Sequence, residues 1–185
     1  MTDYSGNKPG DLFDTMDEAA RDAAIYLGAL SFGNCWEYAT AIYTVSEVVV
    51  TFETVTKERH FLWWTWTEVS YKMVFKTVTK YTYAKPKTDK DPLHVSFPNA
   101  PSFKKRVAVL HTHPMGSGRG VTVFSDYYDE NGNRAGDIAM AIKHRCILYV
   151  HGPNGKVRKY DPVTNEDVLL FSDLPISSKS PWLNS

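Results

Sequence analysis

The chain has 185 residues, of which 43% are hydrophobic and 23% charged, and this suits one globular domain with a sizeable core. Its 21 basic and 21 acidic side chains cancel, which argues against nucleic acid or an anionic membrane as a partner. No run approaches the roughly 18 apolar residues of a membrane span, and residues 1–10 lack the apolar core of a signal peptide.

The first predicted element is a helix. Thr15 and Glu18 have the spacing of a capping box, in which each side chain accepts a hydrogen bond from the other residue's backbone N–H. Apolar residues follow at helical spacing, namely Ala19, Ala20, Ala23, Ala24, Leu27 and Leu30. The pattern predicts a helix over 15–30, ended by Gly33-Asn34.

The next part of the chain is rich in β-branched and aromatic residues. Residues 36–43 and 47–52 are predicted to form two strands of a hairpin or meander, and the stretch 60–83 predicts two more. A polar loop with prolines follows, and then a short strand is predicted over 95–97.

Aromatic residues make up 14% of the chain, and many cluster between Tyr38 and Tyr83. We expect them to form a large sheet face rather than an exposed recognition surface. For Trp64, Trp66 and Tyr71, in particular, core packing is expected rather than a recognition patch.

The second half predicts further alternating elements. A short apolar strand is predicted over 106–110, and a long loop over 114–136 follows it. A short helix is predicted over 137–142, and strands over 146–151 and 157–160 are predicted to form a hairpin. Together the elements predict an α+β fold with a mixed, largely antiparallel sheet, flanked by an N-terminal helix and a short second helix. We divide the chain into a flexible leader (1–12), a single domain (13–172) and a loose C-terminal tail (173–185).

The strongest chemical signal is His111-Thr112-His113-Pro114, which ends an apolar strand. Two histidines two residues apart on a strand project to the same face. At the strand end both imidazoles can converge on one ion, and imidazole suits Zn²⁺. Two histidines that merely lie near a loop are the alternative.

A second signal is Glu37, which stands in an otherwise uncharged stretch over 33–44. A carboxylate in a half-buried strand is unfavourable unless it is paired or functional. An outward-facing Glu on an edge strand is the alternative. The two cysteines, Cys35 and Cys146, form no CxxC pattern, and we expect two buried free thiols rather than a disulfide or a metal-thiolate site.

These residues, in this order, resemble the JAMM/MPN metalloprotease superfamily. More narrowly, they resemble an uncharacterised branch found as C-terminal domains of Rhs-type polymorphic toxins. The similar segments cover most of the chain except about 55–105: 17–20, 36–38, 111–114, 124–125, 137–141, 149–157 and 160–162.

The resemblance implies a JAMM/MPN-like (cytidine deaminase-like) architecture and a zinc-dependent hydrolase that cleaves a peptide or isopeptide bond. It also implies a bacterial toxin or effector, cytoplasmic or delivered by secretion, with a protein substrate and an immunity protein as partners. Carried over by position, His111 and His113 bind Zn²⁺, Glu37 accepts the proton of the attacking water, and Ser125 donates a hydrogen bond to the oxyanion.

The third ligand implied by the resemblance is an Asp at the start of the short helix. The family keeps this Asp three positions after the Ser, where the present chain has Tyr128. Three carboxylates are available nearby: Asp126, Asp129 and Asp137. We favour Asp137, because residues 138–141 follow it as the family's helix follows its Asp, and Asp129 is the alternative. Residues 126–136 then form an inserted polar loop, and Ser125 can act only if this insertion folds back on itself.

Other functions compete with this hypothesis. One is a non-catalytic MPN-like binding module on the same fold. Another is a toxin nuclease that uses the same His/Asp site, which the neutral charge disfavours. A large metallohydrolase barrel is a third, but such barrels need roughly 200 residues or more and carry the HxH motif early.

Overall fold

The computed structural model describes residues 8–114 and 123–175. Residues 1–7 of the expected leader, 115–122 of the expected loop and 176–185 of the expected tail lie outside the described residues. The described residues form two helices and eight strands: α1 (Met16–Asn34), β1 (Ala39–Phe61), β2 (Trp64–Tyr83), β3 (Arg106–Thr112), β4 (Tyr127–Tyr128), β5 (Arg134–Ala135), α2 (Asp137–His144), β6 (Ile147–His151), β7 (Val157–Asp161) and β8 (Glu166–Phe171).

Six strands form one sheet in the order β2-β1-β3-β6-β7-β8, and β4 and β5 form a separate small hairpin. Only the β3–β6 pair among the described strands is parallel. Helix α1 packs with Leu110 of β3 on one side of the sheet, whereas Ala141 of α2 packs with the neighbouring Val109 on the other. Successive strand residues point to opposite faces, so the two helices cover opposite faces. The predicted α+β class and the mixed, largely antiparallel sheet are confirmed.

Helix α1 begins as the capping box predicts. The Thr15 hydroxyl accepts a hydrogen bond from the Glu18 N–H, and the Glu18 carboxylate accepts one from the Thr15 N–H. The helix runs through the predicted stop at Gly33-Asn34 and ends at Cys35, whose φ of 58° is left-handed. The Cys35 N–H donates to the Ser31 carbonyl, which satisfies one of the last carbonyls of the helix.

The prediction of four strands between residues 36 and 83 is wrong, because β1 and β2 are two long strands of 23 and 20 residues. Neither strand contains Gly or Pro, so the chain turns first at Leu62-Trp63. We call residues 44–80 the arm, because they lie beyond the point where β1 pairs with β3. Among the described residues its strands pair only with each other, and the isolated Phe13–Tyr81 bridge lies just before its base.

The aromatic residues of the arm correct a second expectation. Trp64, Trp66 and Tyr71 are 70%, 52% and 73% exposed, so the prediction that they pack in the core is wrong. The alternation of β-branched and aromatic residues predicts strand but does not say which faces another layer will cover. In the arm, no other described element covers them.

Smaller differences concern the short elements. Residues 95–97 form no strand, and β8 (Glu166–Phe171) was not predicted. Both cysteines are free, with Cys146 buried and Cys35 partly buried. No helix within the described ranges is long and apolar enough to cross a membrane.

Candidate metal centre

Strand β3 positions the two histidines of the HxH motif. It is an inner strand, with His111 opposite Ala39 of β1 and Val150 of β6. His113 follows the strand, where its N–H donates to the His151 carbonyl at 2.9 Å. Both imidazoles point to the same side, and their Nε2 atoms lie 2.9 Å apart. The structure therefore brings the two rings together as their spacing predicts.

Asp137, the first residue of α2, places its carboxylate beside both rings. Its Oδ1 lies 3.2 Å from Nε2 of His111 and its Oδ2 lies 3.5 Å from Nε2 of His113. In the described part of the chain, these three side chains form the group that could hold a metal ion, with ligand atoms all within 4.8 Å of one another. His111 is buried and the other two are partly buried.

These separations fit a divalent metal ion. Tetrahedral zinc bonds of about 2.0–2.2 Å to N and O ligands place the ligand atoms about 3.3–3.6 Å apart. The observed separations of 2.9, 3.2 and 3.5 Å lie close to that range. Two imidazoles and one carboxylate are also a common donor set of catalytic zinc, which leaves a fourth position open.

The alternative third ligand, Asp129, lies in the turn between β4 and β5. Its carboxylate accepts hydrogen bonds from the backbone N–H groups of Asn131 and Asn133, at 2.9 and 2.8 Å. These hydrogen bonds, chiefly the one from Asn133, lower the pKa of Asp129. Asp126 pairs with Arg134 at 2.7 Å. The structure thus places Asp137, rather than either of these carboxylates, beside the histidines.

The histidines also set the charge state of Asp137. Burial alone would raise the pKa of its carboxyl, but the charges and hydrogen bonds of His111 and His113 outweigh burial. The pKa of Asp137 is therefore held well below its usual range, and the group is a carboxylate at neutral pH. Metal ligands need this deprotonated form.

Ser125 meets Asp137 because the insertion between them folds back. Residues 126–136 contain the β4–β5 hairpin, which returns the chain to Ser125. Its N–H donates to Asp137 Oδ2 at 2.8 Å, and its Oγ accepts from the Asp137 N–H at 2.9 Å. Gly136 makes this approach possible, since an added Cβ would lie 2.6 Å from the Ser125 carbonyl oxygen.

Glu37 is buried directly before β1, rather than within the strand as predicted. Its Oε1 lies 3.9 Å from Nε2 of His113, and its N–H donates to the Asp91 carbonyl at 2.8 Å. Burial raises the pKa of Glu37 to about 8; Asp137 and Asp91 add to the rise, and His113 opposes it. A nearby divalent cation would lower this pKa again, because it favours the carboxylate.

A hydrogen-bond network that the sequence analysis missed holds the Glu37 segment in place. The Thr112 side chain lies on the opposite face from the two histidines, and its hydroxyl donates to Ser31 Oγ at 2.7 Å. Ser31 in turn donates to the Trp36 carbonyl at 2.7 Å, and the Tyr38 N–H donates to Thr112 Oγ1 at 3.0 Å. The only sequence signal was a Thr between two histidines, which alternation turns toward α1.

The site opens into a cavity of about 500 Å³, a size typical of small-ligand and substrate sites. Glu37, Ser125 and the three candidate ligands line one part of it. Apolar and polar side chains line the remainder: Leu93, His94, Val95, Ser96, Phe97, Tyr127 and Met140, together with Gly136. The segment 93–97 was predicted partly as strand but serves as a cavity wall.

Comparison with known proteins identifies no relative: no family model matches the chain, and neither a curated protein nor a solved structure matches it significantly. Its chemistry is therefore inferred from the side chains that line the cavity.

Proposed function

We propose that the protein is a zinc-dependent hydrolase that cleaves a peptide or isopeptide bond. The observation that carries the proposal is the convergence of three metal-ligand side chains and a buried carboxyl group in one cavity. His111, His113 and Asp137 would hold the ion, and Glu37 lies 3.9 Å from His113. We extend the proposal to a JAMM/MPN-like architecture, since the residues that the resemblance assigns to the site meet in this cavity.

Zinc is the metal that the donor set favours. When bound, the ion supplies a Lewis acid for a carbonyl group and lowers the pKa of water held there from ~15.7 toward ~7. The carboxylate form of Asp137 and the near-tetrahedral ligand separations support this choice. Bound Ca²⁺ or Mg²⁺ would call for more oxygen ligands than this group offers.

Glu37 is the proton carrier in this proposal. Burial raises the pKa of its carboxyl to about 8, and a cation held by the three ligands would lower that pKa again, which favours the carboxylate that accepts a proton. It accepts a proton from the attacking water and delivers it to the leaving amine. The Thr112–Ser31 network keeps this carboxyl beside His113.

Ser125 would stabilise the developing oxyanion. Its Oγ accepts a hydrogen bond from the Asp137 N–H, and a hydroxyl that accepts one bond still carries a proton to donate. Ser125 lines the cavity together with the three candidate ligands, and we assign its hydroxyl as the donor to a carbonyl group bound there. Loss of such a donor typically lowers the rate by ~10²–10³.

The cavity wall supports a peptide rather than a nucleotide as the substrate. Leu93, Val95, Phe97 and Met140 provide apolar surface for a side chain next to the scissile bond. No Lys or Arg is among the described residues that line the cavity, whereas phosphate binding relies on them.

The first experiment measures metal. Purified protein is loaded with Zn²⁺, dialysed and assayed by mass spectrometry, with His94→Ala as a matched control because His94 lines the same cavity outside the ligand group. We expect about one Zn²⁺ per chain in the wild type, His94→Ala and Glu37→Gln. His113→Ala should lose it. Equal zinc content in His113→Ala and the wild type would refute the metal site.

The second experiment measures hydrolysis by the zinc-loaded variants. Linear peptides and a peptide with a lysine ε-amide bond are incubated with the protein, and products are identified by mass spectrometry. We expect the wild type to cleave, and Glu37→Gln to keep its metal while its rate falls by ~10²–10⁴. Cleavage of RNA or DNA instead of peptides would establish a nuclease. Zinc binding without any hydrolysis would indicate a binding module.

A further inference from the structure

The arm carries an exposed apolar face. Residues directly opposite each other on paired strands share a face, so the register Val50↔Phe75 and Phe52↔Met73 places these side chains side by side. Seven large apolar residues of this face are 45–73% exposed: Val48, Val50, Phe52, Val69, Tyr71, Met73 and Phe75. Threonines fill the positions between them and at the edge.

The charged side chains of the arm are concentrated on the opposite face, where they alternate with apolar ones such as Val49 and Trp66. This face carries the ion pairs Lys76–Glu53, at 3.6 Å, and Arg59–Glu68, at 2.8 Å. Residues 44–80 contain five basic and four acidic side chains, a net charge of +1, and only Glu58 among them lies on the apolar face. The arm is therefore asymmetric, because one face is almost free of charge and the other carries nearly all the charged side chains.

The apolar face continues the sheet face that α1 covers in the body. Ile42 and its partner Tyr83 pack under α1, and alternation puts Val48, Val50 and Phe52 on the same side further along β1. Beyond the helix, no described element covers it. A two-stranded hairpin is marginal in water without such a cover, which indicates that the arm has an occupant.

We propose that the occupant is the same face of a second copy of this chain. The seven apolar residues expose roughly 600–800 Å² on one copy, since an aromatic side chain presents about 150–250 Å² and Val and Met present less. A standard interface buries about 800 Å² per partner, so two such faces meet the need of a stable dimer. Self-association also leaves both charged faces in water.

The position of α1 fixes how the two arms lie. Because α1 covers this same face at the base of the arm, a second copy can lie on the face only with its body beyond the tip. The arms are therefore antiparallel, related by a two-fold axis at their midpoint. Residues 44–61 span about 60 Å, and Phe52–Met73 lies at their centre. The same pair lies at the centre of the seven residues of the apolar face.

A bilayer is a poorer occupant. The net charge of +1 gives little attraction to anionic lipid, and the ion pairs of the opposite face prevent lipid from surrounding the arm. The dimer does not depend on the proposed hydrolase, since the cavity receives no lining residue from the arm.

Sedimentation equilibrium of the full chain tests the dimer. Thr54→Lys places a charge on the apolar face, and Ser70→Lys places the same charge on the opposite face as a matched control. We expect a dimeric wild type and Ser70→Lys, and a dissociation constant raised by about 100-fold or more in Thr54→Lys, because like charges then meet at the interface. Circular dichroism checks that both variants fold, and the uncharged Phe75→Thr should weaken the dimer in the same direction.

Cross-linking tests the antiparallel arrangement. In a Cys35→Ser background, Met73→Cys lies at the two-fold axis and should link to its own counterpart through a short bismaleimide, whereas Ser70→Cys should not. A monomeric wild type at high micromolar concentration would overturn the proposal. So would equal weakening by Thr54→Lys and Ser70→Lys, or a monomer that sediments with phosphatidylcholine vesicles.

Discussion

Ser125 and Asp137, twelve residues apart in the chain, hold each other through two reciprocal hydrogen bonds. Each backbone N–H donates to the other's side chain, at 2.8 and 2.9 Å. The arrangement fixes the first residue of α2, and with it the carboxylate that faces His111 and His113. Both the third candidate ligand and the candidate oxyanion donor depend on this one contact.

Gly136→Ala tests that dependence. Gly136 has a φ of 88°, and a new Cβ would lie 2.6 Å from the Ser125 carbonyl oxygen. We expect a loss of stability of about 2 kcal/mol or more, together with weaker zinc binding. Urea unfolding and a zinc titration measure the two effects.

Gly132→Ala is the control for Gly136→Ala. Its φ is also positive, at 76°, but a Cβ there meets nothing within 4 Å. This variant should lose only about 1 kcal/mol and keep its zinc affinity. If both variants bind zinc like the wild type, the Ser125–Asp137 contact does not position the ligand.

Asp137→Asn and Asp129→Asn distinguish the two candidate third ligands. Each change removes one negative charge and keeps the side-chain shape. We expect Asp137→Asn to weaken zinc binding by about 100-fold or more, because it loses the ligand carboxylate. Asp129→Asn should keep the zinc affinity and lose some stability in the β4–β5 turn. Competition with a chelating dye measures the affinities, and the reverse order would move the ligand to Asp129.

Thr112→Val tests the network that positions Glu37. The change keeps the shape but removes the hydroxyl that accepts from the Tyr38 N–H and donates to Ser31. We expect a loss of about 1–3 kcal/mol in stability and a lower hydrolysis rate per bound zinc.

The control for Thr112→Val is Thr40→Val. Thr40 is also fully buried, and its hydroxyl donates to the Ala84 carbonyl at 2.6 Å, outside the network. It should cost comparable stability without changing the rate per bound zinc. Equal rates in both variants would leave Thr112 with a structural role alone.

His151 predicts how stability depends on pH. Burial lowers the pKa of this fully buried imidazole to about 4, from an ordinary value of 6.5. The unfolded chain therefore takes up a proton at higher pH than the folded chain, so stability is fully present above pH 6.5 and falls as the pH drops toward 4. The loss amounts to at most about 3 kcal/mol. Between these pH values, the free energy of unfolding should fall less steeply with decreasing pH in His151→Leu than in the wild type. An equal dependence on pH in both proteins would show that His151 does not cause the loss of stability.

Much of the candidate site follows from local pattern. The alternation of a strand puts His111 and His113 on one face, and the helical pattern after Asp137 singles it out from Asp129. The Thr15–Glu18 capping box likewise appears where its spacing predicts. Each of these inferences needs only a few neighbouring residues, because backbone geometry repeats over two to four positions.

The extent and exposure of β1 and β2 were not predictable in the same way. Trp64, Trp66 and Tyr71 have the residue types of a core strand, and they are exposed because no described layer lies over the arm. Burial depends on what a face meets, and the strand pattern is the same for a covered and an uncovered face.

The helix start, the α+β class and the direction of the two imidazoles thus follow from local residue patterns. The tertiary structure brings Glu37 to His113, because this approach depends on pairing between Tyr38 and Thr112, which are 74 residues apart. It also brings Ser125 to Asp137 across a folded insertion. Local geometry is encoded by neighbours along the chain, whereas a site assembled from distant segments exists only once the sheet has paired.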